Sequence, residues 1–157
     1  PTGKEGIVTG IELFGKETGH ARAGDSVGVV MDTWLGPKRG DVMCDPHNRA
    51  KVPNSFTAEV ILFSNFRMSK ADVLAVRCGT AEKKCSVQDI LESIDPITIT
   101  VDEKFPAALE GDDIGRIRFV PVEPICVETF SEFPELGRFV IVDRKGATAA
   151  GIILEVS

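Results

Sequence analysis

An all-β fold of two antiparallel β-barrels, the first incomplete on its amino-terminal side, is what this sequence predicts. Three observations carry the prediction. Apolar stretches of strand length recur along the chain, separated at close intervals by turn residues, which is the rhythm of a barrel or sandwich. A polar segment with two prolines, 46–54, stands between an early and a later block of strands and reads as a linker. Only one stretch, 87–94, has helical spacing, and it is too short to nucleate a helix by itself.

The early block holds an alternating segment at 7–14 and a short apolar run at 27–31. The later block opens with Phe56-Thr57-Ala58-Glu59-Val60-Ile61-Leu62-Phe63. Further strands are expected at 73–78, 81–87, 97–101, 114–120, 125–130, 139–143 and 147–156. Val87, Ile90, Leu91 and Ile94 would line one face of a turn or two of amphipathic helix. The resulting division is 1–45, a linker at 46–54, and 55–157. The first piece, about 45 residues, is too small to close a stable barrel alone. Gly-Asp followed by a β-branched residue and Gly occurs near both Gly24-Asp25 and Gly111-Asp112, an echo expected if each block uses the same tight turn.

Composition narrows the function classes. The chain has 157 residues, 43% hydrophobic and 27% charged, as a globular protein with a real core does. A net charge of −6 is a poor footprint for non-specific nucleic-acid binding, although a local basic patch remains compatible with it. No apolar run approaches the roughly 18 residues of a membrane span. Pro1 stands where an initiator Met would, and no hydrophobic leader follows, so a cytoplasmic location and a trimmed or partial chain are expected. Cys44, Cys78, Cys85 and Cys126 form no C-x-x-C pair, and Cys44 with His47 would supply only two metal ligands. Reduced cysteines in or beside strands are expected, and no metal.

Catalytic signatures are missing from the sequence. Gly3-Lys4 and Gly15-Lys16 lack the rest of a phosphate-binding loop, and there is no G-x-S-x-G elbow or H-E-x-x-H helix. His20 and His47 fall in turn-like segments, and Asp112-Asp113 reads as a pair of solvated turn acids. No active site is expected in this chain.

Three stretches carry a family resemblance. Gly10-Ile11-Glu12-Leu13-Phe14, then Arg22-Ala23-Gly24-Asp25-Ser26-Val27-Gly28, then Lys38-Arg39-Gly40-Asp41-Val42 resemble the second domain of elongation factor Tu, with its G-V-E-M-F, R-A-G-E-N-V-G and E-R-G-Q-V. Residues 56–62 look like the first strand of the third domain of elongation factor one-alpha. Residues 124–139, ending Glu135-Leu136-Gly137-Arg138-Phe139, and then Ala149-Ala150-Gly151-Ile152-Ile153, are similar to the last strands of that domain. The three occur in family order.

The resemblance implies a non-catalytic piece of a translational GTPase, whose partial second barrel and complete third barrel follow a GTPase domain absent here. GTP and Mg would belong to that domain, and the fragment would carry no cofactor. The implied partners are aminoacyl-tRNA, the GTPase domain of the same chain and the ribosome, with no membrane. Glu12 matches the strand glutamate against which the terminal adenine of tRNA packs. Ser26 matches an Asn that contacts the aminoacyl group, keeping a hydroxyl but losing the amide. Val30 matches an aliphatic wall of the adenine pocket. Without the resemblance, Glu12 reads as a solvent-facing strand residue and Val30 as a core valine.

Asp143-Arg144-Lys145-Gly146 reads as a hairpin turn. The resemblance implies that Arg144 and Lys145 meet the T-stem phosphates there, and without it they read as an ordinary charged turn. The family usually carries Arg where this chain has Val142, and this chain looks one residue longer before Thr148. Arg138 fits a structural role or the GTPase-domain interface. The alternative reading is the same region of a specialised relative, either the GTPase subunit of sulfate adenylyltransferase or a termination or rescue GTPase, docking a protein in place of charged tRNA. The compact 85–109 segment is similar to the sulfate-activating relatives.

Overall fold

The computed structural model describes residues 3–63 and 66–157, so Pro1 lies outside the described residues. The chain divides into two compact units, and the break falls between Lys38 and Arg39.

The first unit is a three-stranded antiparallel sheet in the order β2-β1-β3, from β1 (Val8–Leu13), β2 (Lys16–Thr18) and β3 (Gly28–Met31). Between β1 and β2, Phe14 (φ 52°) and Gly15 (φ 72°) both take left-handed backbone, as a two-residue hairpin demands. Three short strands have too little surface to wrap around a core. No described residue of this unit is buried.

The second unit contains β4 (Phe56–Leu62), β5 (Arg67–Ser69), β6 (Val73–Cys78), β7 (Ala81–Ile94), β8 (Val101–Lys104), β9 (Ala108–Glu110) and β10 (Ile114–Pro121). The short α1 (Pro134–Gly137), β11 (Arg138–Asp143) and β12 (Gly146–Val156) complete it. The order β10-β4-β12-β11-β6-β7 returns to β10 through a β10–β7 ladder, so six antiparallel strands close into a barrel and β8 hangs from β7. Alternation places Phe56, Ala58, Val60 and Leu62 inside, with Glu59 and Ile61 outside. Phe56, Phe119 and Phe139 meet at the centre, with ring centroids 5.3, 6.0 and 5.9 Å apart. Every buried hydrophobic residue among those described lies between Phe56 and Ile153.

Three expected elements differ. The 87–94 stretch is the second half of β7 and not a helix. Its pairing with β10 slips at two places, between Arg116 and Ile117 and between Arg118 and Phe119. Each bulge adds one residue to β7, which sets the inward Val87 and Ile90 three residues apart, while Ile94 stands opposite Ile114, off that inward row. The 97–101 segment is a loop, with β8 starting only at Val101. Asp95 accepts hydrogen bonds at Oδ1 from the N–H of Ile97 (2.8 Å) and Thr98 (2.7 Å), which turns the chain over. Residues 125–130 bury Ile125 and Val127 alternately but form no ladder. Their N–H groups go to three different places: Val127 to Lys51 O, Glu128 to Leu136 O and Phe130 to Ile153 O.

The Gly-Asp echo is a shared hydrogen-bond pattern on two different turns, with positive φ at the third residue in one (Gly24, 94°) and at the second in the other (Gly111, 63°). Asp25 Oδ2 accepts from Arg22 N–H (2.8 Å), and Asp25 N–H donates to Arg22 O (3.0 Å). Asp113, not Asp112, closes the matching turn on Glu110, at 2.8 and 3.2 Å. A third copy joins Ser69 and Asp72, at 2.8 and 3.2 Å. There Ala71 takes φ 70°, in the place that Gly24 fills at φ 94°.

The 46–54 segment is held to the barrel. Lys51 Nζ lies 2.9 Å from Glu128 and 2.8 Å from Glu132. Asn54 N–H donates to Ser157 O at 2.8 Å.

Candidate functional site

In the first unit, β1 and β3 run antiparallel with Glu12 opposite Gly28 and Gly10 opposite Val30. Residues two apart on a strand share a face, so Glu12 and Val30 lie diagonally on one face. Across the β1–β3 pair each faces a glycine, and on its other side Glu12 faces Glu17 of β2. A Cβ at Gly28 would sit 3.6 Å from Glu12 Cβ, and one at Gly10 would sit 3.5 Å from Val30 Cβ. The face therefore carries the Glu12 and Glu17 carboxylates and the Val30 aliphatic group, with bare backbone at Gly10 and Gly28 between Glu12 and Val30. Glu12 is exposed and Val30 is 43% exposed, so Val30 is not a core valine. Ser26 is exposed two residues before the Gly28 that faces Glu12. It follows the turn closed by Asp25, which fixes the chain entering β3.

Arg144 and Lys145 belong to the second unit. They form the turn between β11 and β12, and both are exposed. Asp143 Oδ1 accepts from Lys145 N–H at 2.6 Å and from Gly146 N–H at 3.1 Å, and Gly146 takes φ 133°. The carboxylate thus braces the turn from within, leaving both cations projecting from its tip. The bulge between Ile141 and Val142 accommodates one extra residue in this hairpin.

A feature that the sequence did not disclose is a groove of about 720 Å³ in the outer wall of the barrel. Its apolar floor includes Ile61, Ile114, Val140, Ala150 and Ile152, with Arg77, Arg138 and Glu59 also lining it. These residues form cross-strand rows: Ile114 opposite Ile61, Ile61 opposite Ala150, Ala150 opposite Val140, and Val140 opposite Arg77. The available signal was broken alternation. Val60-Ile61-Leu62 and Ala149 to Ile153 stay apolar where one residue in two should be polar.

Among the described residues, no group of three His, Cys, Asp or Glu side chains is placed to hold a metal ion. Nor is any helix among them long and apolar enough to cross a membrane. Burial pushes the Cys78 thiol up to about 11 and the Cys85 thiol up to about 12, so both stay protonated and inert at neutral pH.

Known proteins align with both units. The chain is 34% identical over 160 residues to elongation factor 1-alpha of Cenarchaeum symbiosum, covering 100% of this chain and 37% of that protein. It is 33% identical over 159 residues to elongation factor 1-alpha of Saccharolobus solfataricus, covering 99% of this chain and 37% of that protein. The chain thus spans little more than a third of the length of these relatives. A crystal structure of sup35 complexed with GDP shares the fold, with a TM-score of 0.87 at 20% identity, covering 96% of this chain and 37% of that one. The family model GTP-eEF1A C-terminal domain-like matches residues 55–154, the segment that builds the closed barrel. The chain therefore belongs to the GTP-eEF1A C-terminal domain-like family, the carboxy-terminal part of elongation factor 1-alpha-like translational GTPases.

Proposed function

We propose that this chain is the aminoacyl-tRNA-binding part of an elongation factor 1-alpha-like GTPase. The 1–45 region acts as a partial second domain holding the aminoacylated 3′ end, and 55–157 acts as a third domain that meets the T stem. The observation that carries the reading is the Glu12–Val30 face, where each side chain stands opposite a glycine. A planar base can lie over exposed backbone and an aliphatic group while a carboxylate accepts a hydrogen bond from its exocyclic amine. Ser26 is placed to offer a hydroxyl to the aminoacyl group. Arg144 and Lys145, braced at a turn tip, supply charge to phosphates. The outer-wall groove with Arg138 offers an apolar floor and cations for the GTPase domain of the same chain, where GTP and Mg are held. The ribosome is the wider partner, and the cytoplasm the compartment.

The test uses the complete parent protein with charged and uncharged forms of one tRNA. Charged tRNA should bind more tightly. Glu12→Ala should weaken it by about tenfold, the scale of one lost base contact. Replacing Arg144 and Lys145 by Glu should weaken both forms and flatten the dependence of affinity on salt. Equal affinity for the two forms, or indifference to Glu12→Ala, would sink the reading.

A further inference from the structure

Strand β8 is the open end of the barrel's sheet: among the described residues it pairs with β7 alone. Four large hydrophobic residues crowd around it, with Ile97 88%, Ile99 67%, Val101 46% and Phe105 71% exposed. Ile99 (φ 55°) and Phe105 (φ 53°) flank the strand in left-handed backbone, a costly conformation for bulky side chains that gain no burial from it. The charges near them are one-sided. Between Asp95 and Asp113 stand six carboxylates, Asp95, Asp102, Glu103, Glu110, Asp112 and Asp113, against the single Lys104. Glu110 is paired with Arg67 outside this stretch, but Asp102 and Glu103 lie exposed on β8 itself.

We propose that the β8 edge is a docking site for an extended basic segment of another protein, added as a strand beside Val101–Lys104. The open edge of a terminal strand offers a row of backbone donors and acceptors, and apolar side chains at its ends can grip alternate residues of an added strand. Asp102 and Glu103 choose the occupant. Two β8 edges brought together would set carboxylates against carboxylates, which disfavours a second copy, and the same charge repels nucleic acid. Lys or Arg on an incoming strand meets them favourably. The inference stands apart from tRNA binding, since it uses none of the residues invoked there.

The test takes the 157-residue chain with three blocked peptides: alternating Lys and Val, alternating Glu and Val, and a Lys-Pro repeat that cannot form strand hydrogen bonds. The Lys-Val peptide should bind at least about tenfold more tightly than either control. It should also slow amide exchange across Val101–Lys104 and nowhere on the outer-wall groove. The double charge reversal Asp102→Lys with Glu103→Lys should transfer the preference to the Glu-Val peptide while leaving the melting temperature near that of the parent. Equal binding of the Lys-Val and Lys-Pro peptides would overturn the proposal, since charge alone would explain it. So would protection at another site, an unmoved preference after reversal, or concentration-dependent dimerisation through β8 without peptide.

Discussion

The two units are built from the same kind of strand, yet one has an interior and the other has none. In 39–157, six strands return to their starting point, and rows of alternate residues are removed from water. In the first unit the sheet stays open, and even Trp34 is 84% exposed. Strand propensity is similar on both sides of the break at Lys38, so closure, not propensity, decides where stability resides.

The sharpest way to break this contrast is to remove one large aromatic from each unit. Phe119→Ala, at the centre of the three-ring cluster, should cost about 3–5 kcal/mol, measured by denaturant unfolding. Trp34→Ala should cost less than about 0.5 kcal/mol, because almost none of its surface is buried. Comparable losses would mean that the first unit has a core after all.

Adding a methyl group tests the same division. A Cβ at Gly137 would fall 2.3 Å from the Cα of Phe130, a backbone clash that no rotamer relieves. Gly137→Ala should therefore cost about 3 kcal/mol. At Gly19 a Cβ meets nothing within 4 Å, and Gly19→Ala should leave the thermal midpoint almost unchanged.

Thiol labelling reads closure without mutation. At pH 8 the exposed Cys44 should react first and the half-buried Cys126 later. Cys78 and Cys85, held protonated by burial, should wait for unfolding and lag by about a hundredfold or more. Equal rates at all four would mean that the barrel opens freely.

The smallest effect belongs to Ala71. Its φ of 70° sits in a turn that Gly24 makes elsewhere without strain, so Ala71→Gly should stabilise the barrel by about 0.5–1 kcal/mol. A destabilised variant would show that the alanine's restriction of the unfolded chain outweighs its strain.

Much of the barrel was legible because its inward rows keep a strict period of two, as in Phe56, Ala58, Val60 and Leu62. The reading failed where the period itself was altered. A bulge in β7 gave Val87 and Ile90 the spacing of a helix, and 125–130 alternated without a partner strand. Short strands such as Arg67–Ser69 and Ala108–Glu110 are set by the pairing of distant residues and leave no local pattern. In the site, the Asp143 turn was readable from its residue types. The pairing of Glu12 and Val30 with glycines was not, because it depends on register across a connection of fourteen residues between β1 and β3.

The ladder between β4 and β12 has a consequence for synthesis. It joins Phe56 to Val156, and just beyond it Ser157 N–H reaches Ser55 O at 2.9 Å. The strand made first must wait for the strand made last, across about a hundred residues, before the ring can seal. While the chain is still emerging, Phe56 and Val60 have no inner wall to face. A ribosome that stalls before Ile153 would leave a sticky, half-curled sheet, and the cell would meet it as a substrate for chaperones.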